Sequence, residues 1–178
     1  IRGFSSVYGM NFVPGDWIES IQLAKGVGSV MNGYESIAGQ INVELKKPEE
    51  SEKFNLNLYA NQGGRQEFNT NFKFKVNDKW STGFLLHSSV TTRENDNNND
   101  GFTDLTLQNR ISVFNKINFE RKSNKVFTIA GRYVYEDRWG GEMDWERKYR
   151  GSSIKYGESI YTNRWETFGT YQLPTSEN

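Results

Sequence analysis

From Phe54 onward, apolar and polar side chains alternate with a period of two, and no other feature of the sequence constrains the fold as strongly. In residues 54–60 phenylalanine and leucine alternate mainly with asparagine, and in residues 68–76 phenylalanine alternates with asparagine and lysine. Successive side chains of a strand point to opposite faces, so each segment has one apolar and one polar face. Further runs follow at 80–92, 106–121, 125–137 and 159–173. The sequence therefore predicts six long antiparallel strands.

The segments between these strands differ in length. Residues 77–79 and 122–124 are predicted to be tight turns, whereas residues 94–104 and 138–158 are long and polar. Short turns at one end and long loops at the other are typical of a transmembrane β-barrel, whose apolar side chains face lipid. A soluble β-sandwich gives the same periodicity, so the pattern alone leaves both architectures open. In a barrel, a wet lumen would be lined by Asn57, Asn69, Asn71, Lys73, Lys75, Arg110, Lys116 and Arg132.

Composition and motifs limit the classes of function. The chain has 22 Lys and Arg against 22 Asp and Glu, so it lacks the basic excess that attracts nucleic acid. It has no long apolar run for a membrane-spanning helix and no cysteine for disulfides or thiolate chemistry. No nucleophile elbow, phosphate loop or dinucleotide motif is present. The single histidine, His87, lies in an alternating strand and suits packing or pore lining better than catalysis. We therefore predict no enzyme and no organic cofactor.

Residues 14–48 have a different character, with short apolar runs separated by glycines and a charged exit at Pro48. Residues 16–26 read D-W-I-E-S-I-Q-L-A-K-G, and residues 29–43 read S-V-M-N-G-Y-E-S-I-A-G-Q-I-N-V. In order and spacing this region resembles the C-terminal half of the plug domain of TonB-dependent outer-membrane receptors. It departs from the family's usual pattern at Ala38, where a glycine is more common, and at Tyr34. The Asn- and Lys-rich style is similar to that of Bacteroidetes members.

The resemblance implies a β fold in two parts. Residues 1–48 would be the C-terminal part of an α+β plug, and residues 49–178 would be the first six antiparallel strands of a transmembrane β-barrel. Membrane barrels need at least about eight strands, and an open edge in lipid leaves backbone groups unpaired. The chain is therefore expected to be a fragment of a larger plugged barrel.

The resemblance also implies energy-coupled transport without covalent chemistry. Members of the family bind a scarce, bulky nutrient at the extracellular face, and TonB engages a plug segment that we expect to lie outside these 178 residues. The implied cargo is cobalamin or a ferric siderophore or related metal complex. The implied location is the outer membrane of a Gram-negative bacterium, with the long loops extracellular. Outer-membrane lipid, lipopolysaccharide and a surface lipoprotein are the further candidate partners.

The first long loop has the spacing of an EF-hand-type calcium loop. Oxygen-bearing side chains occupy its first, third, fifth and ninth positions, and Gly101 occupies the sixth, where such loops turn sharply. The twelfth position is Leu107 in place of a bidentate glutamate, so we expect a weak Ca²⁺ site or one that another loop completes. The alternative is a solvated loop tip. Within the resemblance, calcium-ordered loops favour cobalamin as cargo. The candidate ligands are Asp96, Asn98, Asp100, Phe102 and Asp104.

The second long loop combines aromatic, acidic and basic side chains. Exposed aromatic rings would stack on a flat ligand, basic side chains would attract an anionic one, and loops on a rigid scaffold often carry binding sites. The alternative is an interfacial anchor or a contact with anionic lipopolysaccharide. The candidate substrate-binding residues are Trp139, Glu142, Trp145, Arg147, Lys148, Tyr149 and Arg150.

Two other classes of protein remain as alternatives. A soluble calcium-binding β-sandwich that recognises carbohydrate would explain the Asp/Asn loop and exposed tryptophans, but not residues 14–48. A structural outer-membrane barrel without transport would not need a plug.

Overall fold

The computed structural model describes residues 12–27, 39–47, 52–121 and 125–173. The predicted domain boundary at residues 48 and 49, the turn at 122–124 and the motif residues 29–38 lie outside the described residues. Within them, strands dominate and helical structure is limited to short 3-10 turns, so the predicted β fold is confirmed. No helix in these ranges has the length and apolar character needed to cross a membrane.

A two-stranded sheet forms the N-terminal part of the structure. A 3-10 helix at Gly15–Trp17 leads into β1 (Ile18–Lys25), which pairs antiparallel with β2 (Gly39–Leu45). The Lys46 N–H donates to the Trp17 carbonyl at 2.8 Å, which ties the end of β2 to the start of β1.

The second sheet contains the six strands that the alternation predicts, each paired antiparallel with the next along the chain. In the part of the chain that the structure describes, this sheet is open, with its first and last strands at the edges. The strands are β3 (Phe54–Ala60), β4 (Arg65–Lys75), β5 (Trp80–Thr91), β6 (Leu107–Glu120), β7 (Val126–Gly141) and β8 (Gly157–Tyr171).

The two long loops lie at the same end of this sheet, as predicted. The first loop (residues 92–106) joins β5 to β6, and the second loop (residues 142–156) joins β7 to β8. A four-residue connection at 61–64 lies at this end too, although the sequence pattern did not predict it. Gly64 permits it, because its φ is +80° and an added Cβ would collide with Arg93.

The register separates the side chains of the six strands into two faces. Paired residues of an antiparallel sheet lie on the same face, so odd-numbered residues of β3–β5 share a face with even-numbered residues of β6–β8. We call this the polar face and the opposite one the apolar face. Of the 14 charged side chains in these strands, 13 lie on the polar face, and only Asp137 lies on the apolar face. All eight residues predicted to line a lumen lie on the polar face.

The two-stranded sheet contacts the polar face through a small apolar cluster. Trp17 is completely buried, and its ring centroid lies 6.2 Å from that of Phe114. Leu85 and Ala130 complete the cluster, and Leu45 packs against it. Apolar side chains thus interrupt the polar face where Trp17 lies, so Trp17 anchors the N-terminal part to the large sheet.

We expect Trp17→Ala to detach the two-stranded sheet, because removal of a buried tryptophan side chain costs about 3–5 kcal/mol. Hydrogen exchange of the full chain should become faster in β1 and β2, while β5–β7 stay protected. Leu23→Ala is the control, since Leu23 lies in the same small sheet and is 71% exposed. Similar exchange in the two variants would contradict the anchoring role.

Candidate functional site

The two long loops contact each other and form one ordered surface. The Met143 N–H donates to the Gly101 carbonyl at 2.8 Å, and the Thr103 N–H donates to the Gly141 carbonyl at 2.8 Å. Phe102 also forms an isolated antiparallel bridge with residue 142 of the second loop. The predicted metal ligands and most of the predicted ligand-binding residues therefore lie within one loop assembly.

The predicted calcium ligands direct their oxygen atoms toward the backbone of their own loop. The Asp96 carboxylate accepts hydrogen bonds from the N–H groups of Asp100 at 3.1 Å and Gly101 at 2.9 Å. The Asp104 carboxylate accepts from the backbone N–H of Asn97 at 2.9 Å and from its side-chain amide at 2.7 Å. Gly101 has a φ of +83°, as the sharp turn at the sixth position requires.

The donor set has the oxygen chemistry that Ca²⁺ prefers, but its carboxylates are not gathered around one point. Asn98 donates to one Asp100 oxygen at 2.9 Å, and the Phe102 N–H donates to the other at 2.9 Å. Among the described residues, no group of three or more His, Cys, Asp and Glu side chains is arranged to hold a metal ion. The calcium site therefore stays a prediction, and binding would have to rearrange the carboxylates around the ion.

The second loop folds over the apolar face of the sheet. Asp137 is only 3% exposed there, because the side chains of Arg147 and Arg150 cover it. Its carboxylate oxygens lie 3.2 Å from Arg147 Nε and 2.6 Å from an Arg150 guanidinium nitrogen. The Arg147 guanidinium also lies over the Trp139 ring, 4.2 Å from its centroid. Arg147, Arg150 and Trp139, which were predicted to bind a ligand, are thus brought together. The two arginines, however, bind the carboxylate of Asp137.

The expectation that Trp145 is exposed is wrong. Trp145 is 3% exposed, and its indole packs so closely on Gly157 that an added Cβ would collide with the ring. A buried ring cannot stack on an incoming ligand, so Trp145 stabilises the loop instead. One residue in the sequence points to this burial. Gly157 lies at the start of β8, and its missing side chain leaves room for the Trp145 ring.

The remaining predicted residues of the second loop have separate positions. Glu142 accepts the Tyr156 N–H at 2.8 Å, which closes the base of the loop. Lys148 is at the surface, 5.0 Å from the Tyr149 ring centroid and 2.6 Å from the Glu146 carboxylate. This hydrogen bond with Glu146 raises the pKa of the Lys148 ammonium. Lys148 and Tyr149 are therefore accessible, but no concave site surrounds them.

Ion pairs and hydrogen bonds across strands on the polar face were not predicted. Arg110 contacts Glu136 at 2.8 Å, and both side chains are buried. His87 Nδ1 lies 2.6 Å from the Asn69 side-chain oxygen, while its Nε2 is buried without a partner in the described residues. The sequence identified Arg110 as facing this side, but its partner Glu136 follows only from the register of β6 with β7.

No protein-family model matches this sequence, and comparisons with curated proteins and with solved structures also give no match. The function must therefore be inferred from the two faces of the sheet and from the loops.

We expect Ca²⁺ to bind the full chain in isothermal titration calorimetry. Asp96→Asn combined with Asp100→Asn should weaken that binding by about tenfold or more, because the amides keep the hydrogen-bond acceptors and remove two ligand charges. Asp78→Asn, in the turn at the opposite end of the sheet, is the control. An isotherm unchanged by the double substitution would discard the calcium site.

Proposed function

We propose that the chain forms part of the plug and the barrel wall of a TonB-dependent outer-membrane receptor, which imports cobalamin or a ferric siderophore or related metal complex. The observation that supports this most is the segregation of 13 of 14 strand charges onto the polar face. A lysine or arginine on the lipid face of a barrel costs about 2–4 kcal/mol at the bilayer midplane. A face whose single charge, on Asp137, is covered by two arginines suits contact with lipid.

Aromatic side chains border the apolar face toward both ends of the strands, as in the girdles of membrane barrels. Toward the long loops, the ring centroids of Tyr135 and Tyr161 lie 5.8 Å apart. Phe127 and Trp139 are twelve residues apart in β7, which spans a height of roughly 28 Å for a strand tilted by about 45°. That height is close to the apolar band of about 25 Å in such barrels. Next to the short turns, direct cross-strand neighbours form an aromatic row of Trp80, Phe119, Phe127 and Tyr171.

The exposure of the apolar face argues against the sandwich alternative. Trp165 is 76% exposed, Phe54 62% and Phe74 47%. A sandwich would pack such a face against a second sheet. The two-stranded sheet instead lies against the polar face through Trp17. This arrangement supports a wall with lipid on one side and a plug on the other.

The proposal assigns separate roles to the parts of the chain. The long loops face outward, TonB acts on the plug, and transport requires no covalent step. Further strands must pair with the edges of β3 and β8, since unpaired backbone groups in lipid cost several kcal/mol each. The position of Arg147 and Arg150 over the apolar face favours contact of the second loop with lipopolysaccharide over contact with the nutrient. A surface lipoprotein would bind at the loop end.

We expect Ile129→Lys to impair assembly into the outer membrane, because it places a charge on the apolar face at a cost of up to about 2–4 kcal/mol in lipid. Thr170→Lys, on the polar face, is the matched control. Membrane fractionation and heat-dependent gel mobility of the whole receptor that contains this chain measure assembly. Ile129 is already 40% exposed, so a water-soluble sheet would tolerate both substitutions, and recovery of the protein without detergent would refute the membrane wall.

We expect deletion of the gene to prevent growth on limiting cobalamin or, for a siderophore cargo, on limiting iron. A high concentration of the same nutrient should restore growth, because receptor-driven import matters only when the nutrient is scarce. Normal growth of the deletion strain under both limitations would contradict the import function.

A further inference from the structure

We propose that the loop end of the polar face is a docking surface for a basic segment of a partner protein. An exposed aromatic pair, Phe102 and Tyr156, would contact the apolar part of that segment. The carboxylates of Glu142 and Glu158 would bind its lysine or arginine side chains. These four residues are called the acidic–aromatic surface below. The inference rests on the proposed function only in placing this surface outside the cell.

The two aromatic rings are exposed although both are held in place. Phe102 is 42% exposed and Tyr156 61%, and their ring centroids lie 6.3 Å apart in an edge-to-face arrangement. Phe102 is fixed by its antiparallel bridge with Glu142, and the Tyr156 hydroxyl donates to the Glu158 carboxylate at 3.2 Å. Side chains that are ordered before binding lose little entropy on contact, and tyrosine is a common energetic centre of protein interfaces. The pair is therefore suited to contact another protein.

The strand register places the acidic–aromatic surface at the base of the second loop, on the side of the polar face. The Glu142 N–H donates to the Tyr156 carbonyl at 3.0 Å, which continues the pairing of β7 with β8 by one residue pair. Glu158 follows Tyr156 by two residues, so the two side chains point to the same side of the strand. Glu158 pairs with Gly140, which has no side chain to cover it.

The negative charge of this surface is not compensated within the described residues. Glu142 accepts the Tyr156 N–H and Glu158 accepts the Tyr156 hydroxyl, and neither carboxylate forms an ion pair there. The first loop, which carries Phe102, adds four carboxylates against one arginine. Complementary charge steers association and selects partners, so this surface calls for a basic partner. Anionic lipopolysaccharide would be repelled here.

The side-by-side placement of rings and carboxylates suits a segment of protein. An arginine or lysine side chain carries apolar methylene groups below its charged head, so it can lie on an aromatic ring and reach a carboxylate. Ile154 is exposed on the same loop and offers further apolar contact. An extended segment in which basic and apolar side chains alternate would match these groups.

The test measures peptide binding to the whole protein that contains this chain, in detergent at low ionic strength. A chelator keeps Ca²⁺ from the first loop. The probe is a short peptide of alternating arginine and leucine with blocked ends, and its glutamate–leucine counterpart is the charge control. We expect the arginine peptide to bind, with an affinity that falls as salt screens the charges. The glutamate peptide should not bind.

Two double variants test the two halves of the acidic–aromatic surface. Phe102→Ser with Tyr156→Ser should lower the affinity for the arginine peptide by about tenfold or more. Glu142→Gln with Glu158→Gln should do the same, because the amides keep the hydrogen-bond acceptors and remove both charges.

Tyr59→Ser is the matched control, since Tyr59 is an exposed tyrosine in β3 next to the connection at 61–64. It should change the affinity by less than about twofold. Thermal unfolding of each variant at the temperature of the unsubstituted protein shows that the fold is intact.

The outcomes separate this surface from the membrane wall. No binding of the arginine peptide, or equal binding by both double variants, would overturn the docking surface. Equal affinity for free arginine amide would assign the surface to a small organic cation and overturn the protein partner. Peptide binding in a protein that tolerates Ile129→Lys would refute the membrane wall and support the docking surface.

Discussion

The unbroken two-residue period of the large sheet determines most of what this chain can do. The register of its five strand pairs runs without a shift, from Phe54 paired with Phe72 to Gly141 paired with Gly157. A slip of one residue would transfer every side chain of a strand to the opposite face. Because the register holds, charge collects on one side and aromatic carbon on the other. The two sides then need different surroundings, which is the physical basis for the proposed position between lipid and a plug.

The balance of positive and negative charges on the polar face changes from one end of the strands to the other. Toward the long loops, the Glu136 carboxylate lies beside Arg110, so charge is paired across strands. Toward the short turns, Lys73, Lys75 and Lys116 outnumber the one carboxylate, Glu120, among the strand residues of this face. The buried cluster around Trp17 lies between these regions. The polar face thus has balanced charges toward the long loops, the apolar anchor in the middle, and an excess of lysine toward the short turns.

The single exception to the charge segregation explains the course of the second loop. Asp137 would be costly on an apolar face without a partner, and Arg147 and Arg150 fold over it to provide one. This draws the loop outward, away from the polar face. The first loop is bonded to the second through Gly101 and Thr103, so the two loops form one body.

The sequence by itself determined the six strands, their two faces and the long loops, because alternation and turn chemistry depend on neighbouring residues. It also predicted that the eight candidate lumen residues share one face of the sheet, which the register of the strands confirms. Only the tertiary structure decided that Trp17 packs on Phe114 and that Trp145 is buried on Gly157. These contacts depend on packing between the two sheets and of a loop on a strand, which local sequence patterns do not specify.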